Sequence, residues 1–145
     1  MPNLNNKDLK NLVLNSFSAE KNNDIVGNSK LLHDDFAVTD MMIGVNNDQF
    51  PRLSGQKLHD LINKAFKIKG REFIFKNVVT DENKQLVIVE FIESFPDPKT
   101  GNVYRTPQIA VCEVKDGKIY RTRHYMDPRL SFEFLSVEEV EKAFE

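Results

Sequence analysis

Hydrophobic residues recur at two different spacings along the chain, and the change of spacing divides it into a helical half and a strand half. In residues 7–21 they recur every three or four positions, which is typical of an amphipathic helix; they are Leu9, Leu12, Val13 and Phe17. Asn5 or Asn6 precedes the run and can cap it. This pattern predicts a first helix with one buried face.

Two more helices are predicted in the first half. The polar cluster at 22–24 ends the first helix and starts a short second one, which ends near 33–35. Residues 36–43 are rich in strand formers, and 44–51 have a loop-like composition. Ser54 then starts a third helix and Gly70 stops it; its apolar stripe is Leu58, Leu61, Ile62, Ala65 and Phe66.

After Gly70 the spacing of apolar residues becomes two, which indicates strands. The predicted strands cover residues 71–80, 85–95, 103–115 and 118–127. Tight turns at 81–83 and 116–117 and a longer one at 96–101 join them into an antiparallel meander. Pro128 ends the last strand, and Ser136 with Glu139 has the pattern of a capping box for a short final helix.

The predicted fold class is therefore α+β. Three helices of the N-terminal half pack on a strongly curved, mainly antiparallel sheet, and a short helix follows at the C-terminus. With 145 residues and no linker or internal repeat, the chain is interpreted as a single domain, 1–145. A domain of this size buries roughly 68–70% of its unfolded surface, so it can form a core and still enclose a small cavity.

Composition excludes several kinds of partner. The net charge of -2 is spread along the chain, which argues against binding to nucleic acid or to an anionic membrane. The first residues lack the apolar run of a secretory signal, so a cytoplasmic location is expected. Cys112 is alone and the three histidines are far apart in sequence, which predicts no metal site and no cofactor.

Short motifs resemble the superfamily of nuclear transport factor two, the ketosteroid isomerases and the SnoaL-like polyketide cyclases. They lie at residues 19–24, 33–40 and 53–58, and at 116–119 followed by 124–128. The resemblance covers about residues 7–135. It implies a cone-shaped α+β barrel with a pocket between helices and sheet. It also implies a homodimer through the sheet, and apolar residues on both faces of the third long strand agree with this.

The resemblance makes Asp127 the leading catalytic candidate, because SnoaL-like cyclases and related epoxide hydrolases carry a pocket carboxylate there. Alternation along a strand places Tyr125 and Arg123 on the same face, where they would orient a substrate. A carboxylate in an apolar pocket has a raised pKa, which suits a general acid or base. The alternative is an aspartate that closes the strand end and accepts from nearby backbone donors.

Asp40 and Glu93 are secondary catalytic candidates. Asp40 aligns with the base of the ketosteroid isomerases, and Glu93 lies roughly where limonene epoxide hydrolases carry an Arg and an Asp two positions apart. The isomerase's oxyanion donors are matched here by Ser16 and Ala110, and the hydrolase's Arg by Phe91. The alternatives are a polar residue at a loop for Asp40 and a solvated side chain for Glu93.

Phe17, Phe91 and Met42 are expected to contribute apolar surface to the pocket; for Met42 the alternative is a plain core role. The sequence thus predicts a protein that binds a small apolar molecule. If it is an enzyme, it is expected to be a cofactor-independent isomerase, cyclase or hydratase. The competing hypothesis is a non-catalytic ligand-binding or protein-interaction module on the same fold.

Overall fold

The computed structural model describes residues 2–41, 43–45, 48–49, 52–127 and 134–145, with only the backbone at 43–45 and 48–49. The helices are α1 (Asn6–Lys21), α2 (Ile25–Ser29), α3 (Gly55–Ala65) and α4 (Val137–Glu141), the last continued by a 3-10 turn (Lys142–Phe144). The strands are β1 (Leu32–Asp40), β2 (Ile43–Val45), β3 (Asp48–Gln49), β4 (Arg52–Leu53), β5 (Glu72–Asp81), β6 (Leu86–Pro96), β7 (Val103–Lys115) and β8 (Lys118–Tyr125).

Six of the described strands form one mixed sheet in the order β4-β1-β8-β7-β6-β5. β5 to β8 are the predicted antiparallel meander, and β1 runs parallel to β8. Register shifts in β5, between Phe75 and Asn77, and near the end of β7 mark irregularities of the kind that increase local twist. No described strand joins β4 to β5, so the curved sheet stays open. The predicted α+β class is confirmed.

The predicted turn and cap residues explain where several elements begin. Asp116 and Gly117 both have positive φ, 51° and 73°, as a two-residue hairpin turn of type I′ requires. Asn5 accepts from the backbone N–H of Asp8 at 2.9 Å, and Ser136 with Glu139 forms the predicted capping box. These turn and cap residues therefore have in the folded protein the roles that the sequence predicts for them.

Several element boundaries differ from the prediction. β1 begins at Leu32, so His33 lies in a strand and does not end a helix. The reason is tertiary: Ile119 N–H of β8 donates to Leu31 O at 2.9 Å, and the parallel pairing draws this segment into the sheet. At the other end, β8 stops at Tyr125, two residues before Asp127. The predicted loop at 44–51 contains β3 and all of β2 except Ile43, and its residues 46, 47, 50 and 51 lie outside the described residues.

The core lies between α1 and the inner face of the sheet. Leu9, Val13 and Phe17 of α1 are buried with Val89 and Phe91 of β6. The ring of Phe17 meets that of Phe91 edge to face, with centroids 4.9 Å apart, a geometry worth about 0.5–1.5 kcal/mol beyond burial. This packing fixes α1, and with it Glu20, which lies one turn further along the helix.

The C-terminal helix is tied to the outside of the sheet. Lys76 Nζ of β5 lies 2.6 Å from Glu141 Oε2, and Arg105 of β7 donates to Leu135 O at 2.9 Å. Val140 is 2% exposed, so α4 buries an apolar residue of its own. None of the helices in the described ranges is long and apolar enough to span a membrane.

Candidate functional site

A cavity of about 610 Å³ lies between the helices and the inner face of the sheet. One wall is the apolar stripe predicted for α3, made of Leu58, Leu61, Ile62, Ala65 and, at the C-cap, Phe66. The lining also includes the ionisable residues Glu20, Asp40, Arg71, Glu93 and His124. The cavity therefore joins a large apolar surface to a small set of groups that can exchange protons.

Arg71, directly before β5, stands between two glutamates. Its guanidinium is only 4% exposed; Nη1 donates to Glu20 Oε1, and Nε lies 3.1 Å from Glu93 Oε1. The Nε–H makes no hydrogen bond to that oxygen or to any other acceptor in the described parts of the chain, so this contact is an ion pair only. Glu93 Oε2 accepts from Gln108 Nε2 at 2.7 Å. Glu20, Arg71, Glu93 and Gln108 thus form a continuous chain of polar contacts around the buried Arg71 side chain.

Glu20 titrates near neutrality in this environment. Burial raises the pKa of its carboxyl from 4.5 to about 7, and the charge of Glu93 acts in the same direction, whereas the Arg71 guanidinium opposes the rise. At pH 7 the group is therefore divided between its acid and its carboxylate form. Such a group can both donate and accept a proton.

His124 and Asp40 are neighbours on the parallel strands β8 and β1, at matching register positions. Burial lowers the pKa of His124, while the carboxyl groups of Asp40 and Glu93 act in the opposite direction. The imidazole is consequently neutral at pH 7, with one ring nitrogen as donor and the other as acceptor. The backbone N–H of Met41 donates to His124 O at 2.7 Å and holds the two strand ends together.

The cavity lining includes three smaller polar groups. Ser16 Oγ donates to Asn28 Oδ1 at 2.7 Å, and Asn28 is 6% exposed. Burial raises the pKa of the Cys112 thiol to about 11, so it is protonated at pH 7 and a poor nucleophile. No group of three His, Cys, Asp or Glu residues in the described ranges is placed to hold a metal ion.

Solved structures share this architecture. An NTF2-like protein of Cytophaga hutchinsonii superposes with a TM-score of 0.64 at 17% identity, over 86% of this chain and 95% of that one. An LEH-like epoxide hydrolase of M. tuberculosis superposes with a TM-score of 0.65 at 20% identity, over 87% of this chain and 87% of that one. SalBIII, an epoxide hydrolase/cyclase-like enzyme in pyran ring formation, superposes with a TM-score of 0.70 at 11% identity, over 85% of this chain and 93% of that one.

The chain has the NTF2-like fold. No protein-family model matches the sequence, and no curated protein matches it either. The predicted resemblance is confirmed at the level of the fold. Several neighbours with the NTF2-like fold are named as enzymes of small-molecule chemistry, but one fold hosts many activities, so function has to be argued from this cavity.

Three of the residues predicted for the site line the cavity of this NTF2-like fold: Asp40, Glu93 and Phe17. Phe91 is 1% exposed and packs on Phe17 in the adjacent core, where it is not among the described lining residues. Ser16 and Ala110 do face the cavity, as expected for the positions of the isomerase donors. Ser16 supplies a hydroxyl that donates to Asn28, and Ala110 supplies only a methyl group.

The other predicted residues lie elsewhere or are not described. Arg123 and Tyr125 are on the outer face of β8, where Arg123 pairs with Glu113, in contrast to their predicted place in the pocket. The reason is that Thr122 and His124 occupy the inner face of this strand. Asp127 follows β8 and is not among the described lining residues, so its catalytic role stays a prediction. Met42 lies outside the described residues.

Sequence reasoning missed Glu20, Arg71 and His124. Glu20 carried a signal, because it is spaced three and four positions from Phe17 and Ser16 and so continues the apolar face of α1. A charge on a buried helix face indicates a partner or a site. Arg71 carried no such signal, since its partner Glu20 is 51 residues away along the chain.

Proposed function

We propose that this protein binds a small, largely apolar molecule in its cavity and acts on it by cofactor-free acid/base chemistry. The observation that carries the proposal is the convergence of Glu20, Glu93, His124 and Asp40 on one cavity with an apolar wall. Proton donors and acceptors held around an apolar substrate suit isomerisation, cyclisation or hydration. Neighbours named as epoxide hydrolases and cyclase-like enzymes support the same class of reaction.

In this proposal the groups have different roles. Neutral His124, beside Asp40, accepts a proton from the substrate, and Glu20 in its acid form donates one to the oxygen at which negative charge develops. Glu93 is held by Arg71 and Gln108 and so keeps the Glu20 carboxyl in place through the guanidinium. After the product leaves, His124 releases the proton it accepted to water and Glu20 takes up a proton from water, so that no net proton is consumed.

Asp127 keeps its predicted role as an alternative acid or base. Its neighbour Met126 lines the cavity, so Asp127 stands close to it in the chain. Turnover by Asp127→Asn, compared with turnover by Asp40→Asn, therefore tests which of the two aspartates serves as an acid or base.

A second candidate function is ligand binding without catalysis. The specific observation in its favour is that Ser16 and Ala110 replace the acidic donors which the isomerase reaction needs. Ser16 already donates to Asn28, and Ala110 has no proton to give. On this alternative the cavity holds its ligand unchanged.

A ligand screen by thermal shift, followed by turnover assays on the ligands found, separates these functions. Loss of turnover by about 10²–10⁴-fold with retained binding in His124→Gln or Glu20→Gln supports catalysis. Retained binding with no turnover by the unsubstituted protein supports the binding module. Glu113→Gln, on the outer face, is the matched control. A screen that finds no ligand for the cavity rejects both functions.

We also propose that the chain forms a homodimer through the outer face of the sheet and works in the cytoplasm. Ile109 and Val79 lie on that face with 39% and 58% of their surface exposed. Burying such residues against a second copy would remove apolar surface from water. Light scattering should report a dimer, and Ile109→Lys should convert it to a monomer. A monomeric unsubstituted protein would reject the dimer.

A further inference from the structure

The polar groups of the cavity differ in how far they are exposed to a ligand. The guanidinium side chain of Arg71 is 4% exposed, whereas the side chains of Glu20 and Glu93 are 31% and 16% exposed. Arg71 is therefore the most shielded of the three side chains, and its charge is already shared by two carboxyl groups. A ligand in the cavity meets carboxyl oxygens first.

Among the described residues, no second Lys or Arg lines the cavity to compensate for the charge of these carboxyl groups. Arg71 is the only Lys or Arg in the cavity lining as far as the chain is described, and Asp40 adds a third carboxyl group. His124 is neutral because burial lowers its pKa. A ligand carboxylate or phosphate would thus lie beside like charges without a free cation to pair with.

We propose that this cavity selects an apolar ligand whose polar head donates a hydrogen bond and carries no negative charge, namely an alcohol or an ammonium group. The head binds between Glu20 and Glu93, and the apolar body packs on Leu58 and Ile62 of α3. The inference rests on the proposed function and narrows its substrate class. It excludes organic acids and phosphate esters as substrates.

The experiment uses three probes with one apolar body: naphthylmethanol, naphthylmethylamine and naphthoate. Their dissociation constants are measured by calorimetry on the full chain near pH 8. The alcohol and the amine should each bind at least about tenfold more tightly than the carboxylate. Glu20→Gln and Glu93→Gln should each reduce this ratio, because each removes a carboxyl group that the ligand meets.

Glu90→Gln is the matched control, since Glu90 lies on the outer face of β6 and accepts from Asn77 at 2.7 Å. It should leave the ratio unchanged. Two cavity variants are used so that one misfolded variant, recognised by its thermal melt, does not decide the result. Naphthoate binding as tightly as the alcohol and the amine would overturn the selectivity but leave the small-molecule cavity intact. Failure of all three probes to bind would overturn the selectivity, and the wider ligand screen then decides the proposed function.

Discussion

Two arginine–glutamate contacts lie on opposite faces of the same sheet. On the inner face, the Arg71 side chain is 4% exposed and is shared by Glu20 and Glu93. On the outer face, the side chains of Arg123 and Glu113 are 32% and 42% exposed. The residue types are the same, but the inner arginine is almost wholly shielded from water, whereas both partners of the outer contact are exposed.

This difference decides what each contact can do. Outside, water screens the charges, and such pairs contribute about 0–1 kcal/mol to stability. Inside, desolvation moves the pKa of Glu20 into the neutral range and makes the group useful for proton transfer. The inner contact is therefore a candidate functional element, and the outer one is a surface feature.

The largest effect should come from the apolar part of the inner face. Phe91→Ala removes a ring that is 1% exposed and should lower the free energy of unfolding by about 3–5 kcal/mol, because it leaves a cavity beside Phe17. Urea denaturation measures this change. Val79→Ala, at a site 58% exposed on the outer face, is the control and should cost under about 1 kcal/mol. Equal losses would mean that the two faces do not differ in burial.

Arg71→Met tests the inner contact directly. Removing the guanidinium leaves Glu20 and Glu93 without their cation, which for buried pairs costs about 3–5 kcal/mol. We expect the free energy of unfolding to fall by about 3 kcal/mol, the lower end of this range, because Glu20 can take up a proton and so lose its charge. Urea denaturation at neutral pH gives the value. A loss below about 1 kcal/mol would show that water reaches this contact as freely as the outer one.

Glu20→Gln should change how stability depends on pH. Between 4.5 and about 7 the folded protein keeps the Glu20 proton that the unfolded chain has released. Stabilisation from this group is therefore full below pH 4.5 and is lost as pH rises through about 7. For a single proton the slope is at most about 1.4 kcal/mol per pH unit.

Urea denaturation of both proteins over this pH range measures the difference. The variant should lose the slope and become the relatively more stable protein at higher pH. Parallel pH profiles of the two proteins would contradict the assignment of Glu20, and Glu113→Gln serves as the control on the outer face.

The smallest effect is expected for Arg123→Met. This pair is exposed to solvent, so the substitution should lower the free energy of unfolding by about 0–1 kcal/mol. The difference should shrink further in high salt, which screens exposed charges. Thermal melts at low and high ionic strength provide the measurement. A loss as large as that of Arg71→Met would remove the contrast between the two faces.

The sequence by itself determined the elements whose signals are local. The apolar stripe of α3, the Asp116–Gly117 turn and the caps at Asn5 and Ser136 depend on spacing and on hydrogen bonds within a few residues. Local periodicity was therefore sufficient to predict the three helices, the meander and the α+β class. The prediction that Asp40 and Glu93 lie near the site came instead from the resemblance to the isomerases and epoxide hydrolases.

Only the tertiary structure decided which groups share the cavity. The parallel pairing of β1 with β8 brings Asp40 beside His124, and the inner face of β8 follows from its register with β7. Arg71 meets Glu20 across 51 residues of chain. Desolvation depends on what distant segments pack over a group, so no local pattern could reveal that Glu20 titrates near neutrality or that Arg123 faces outward.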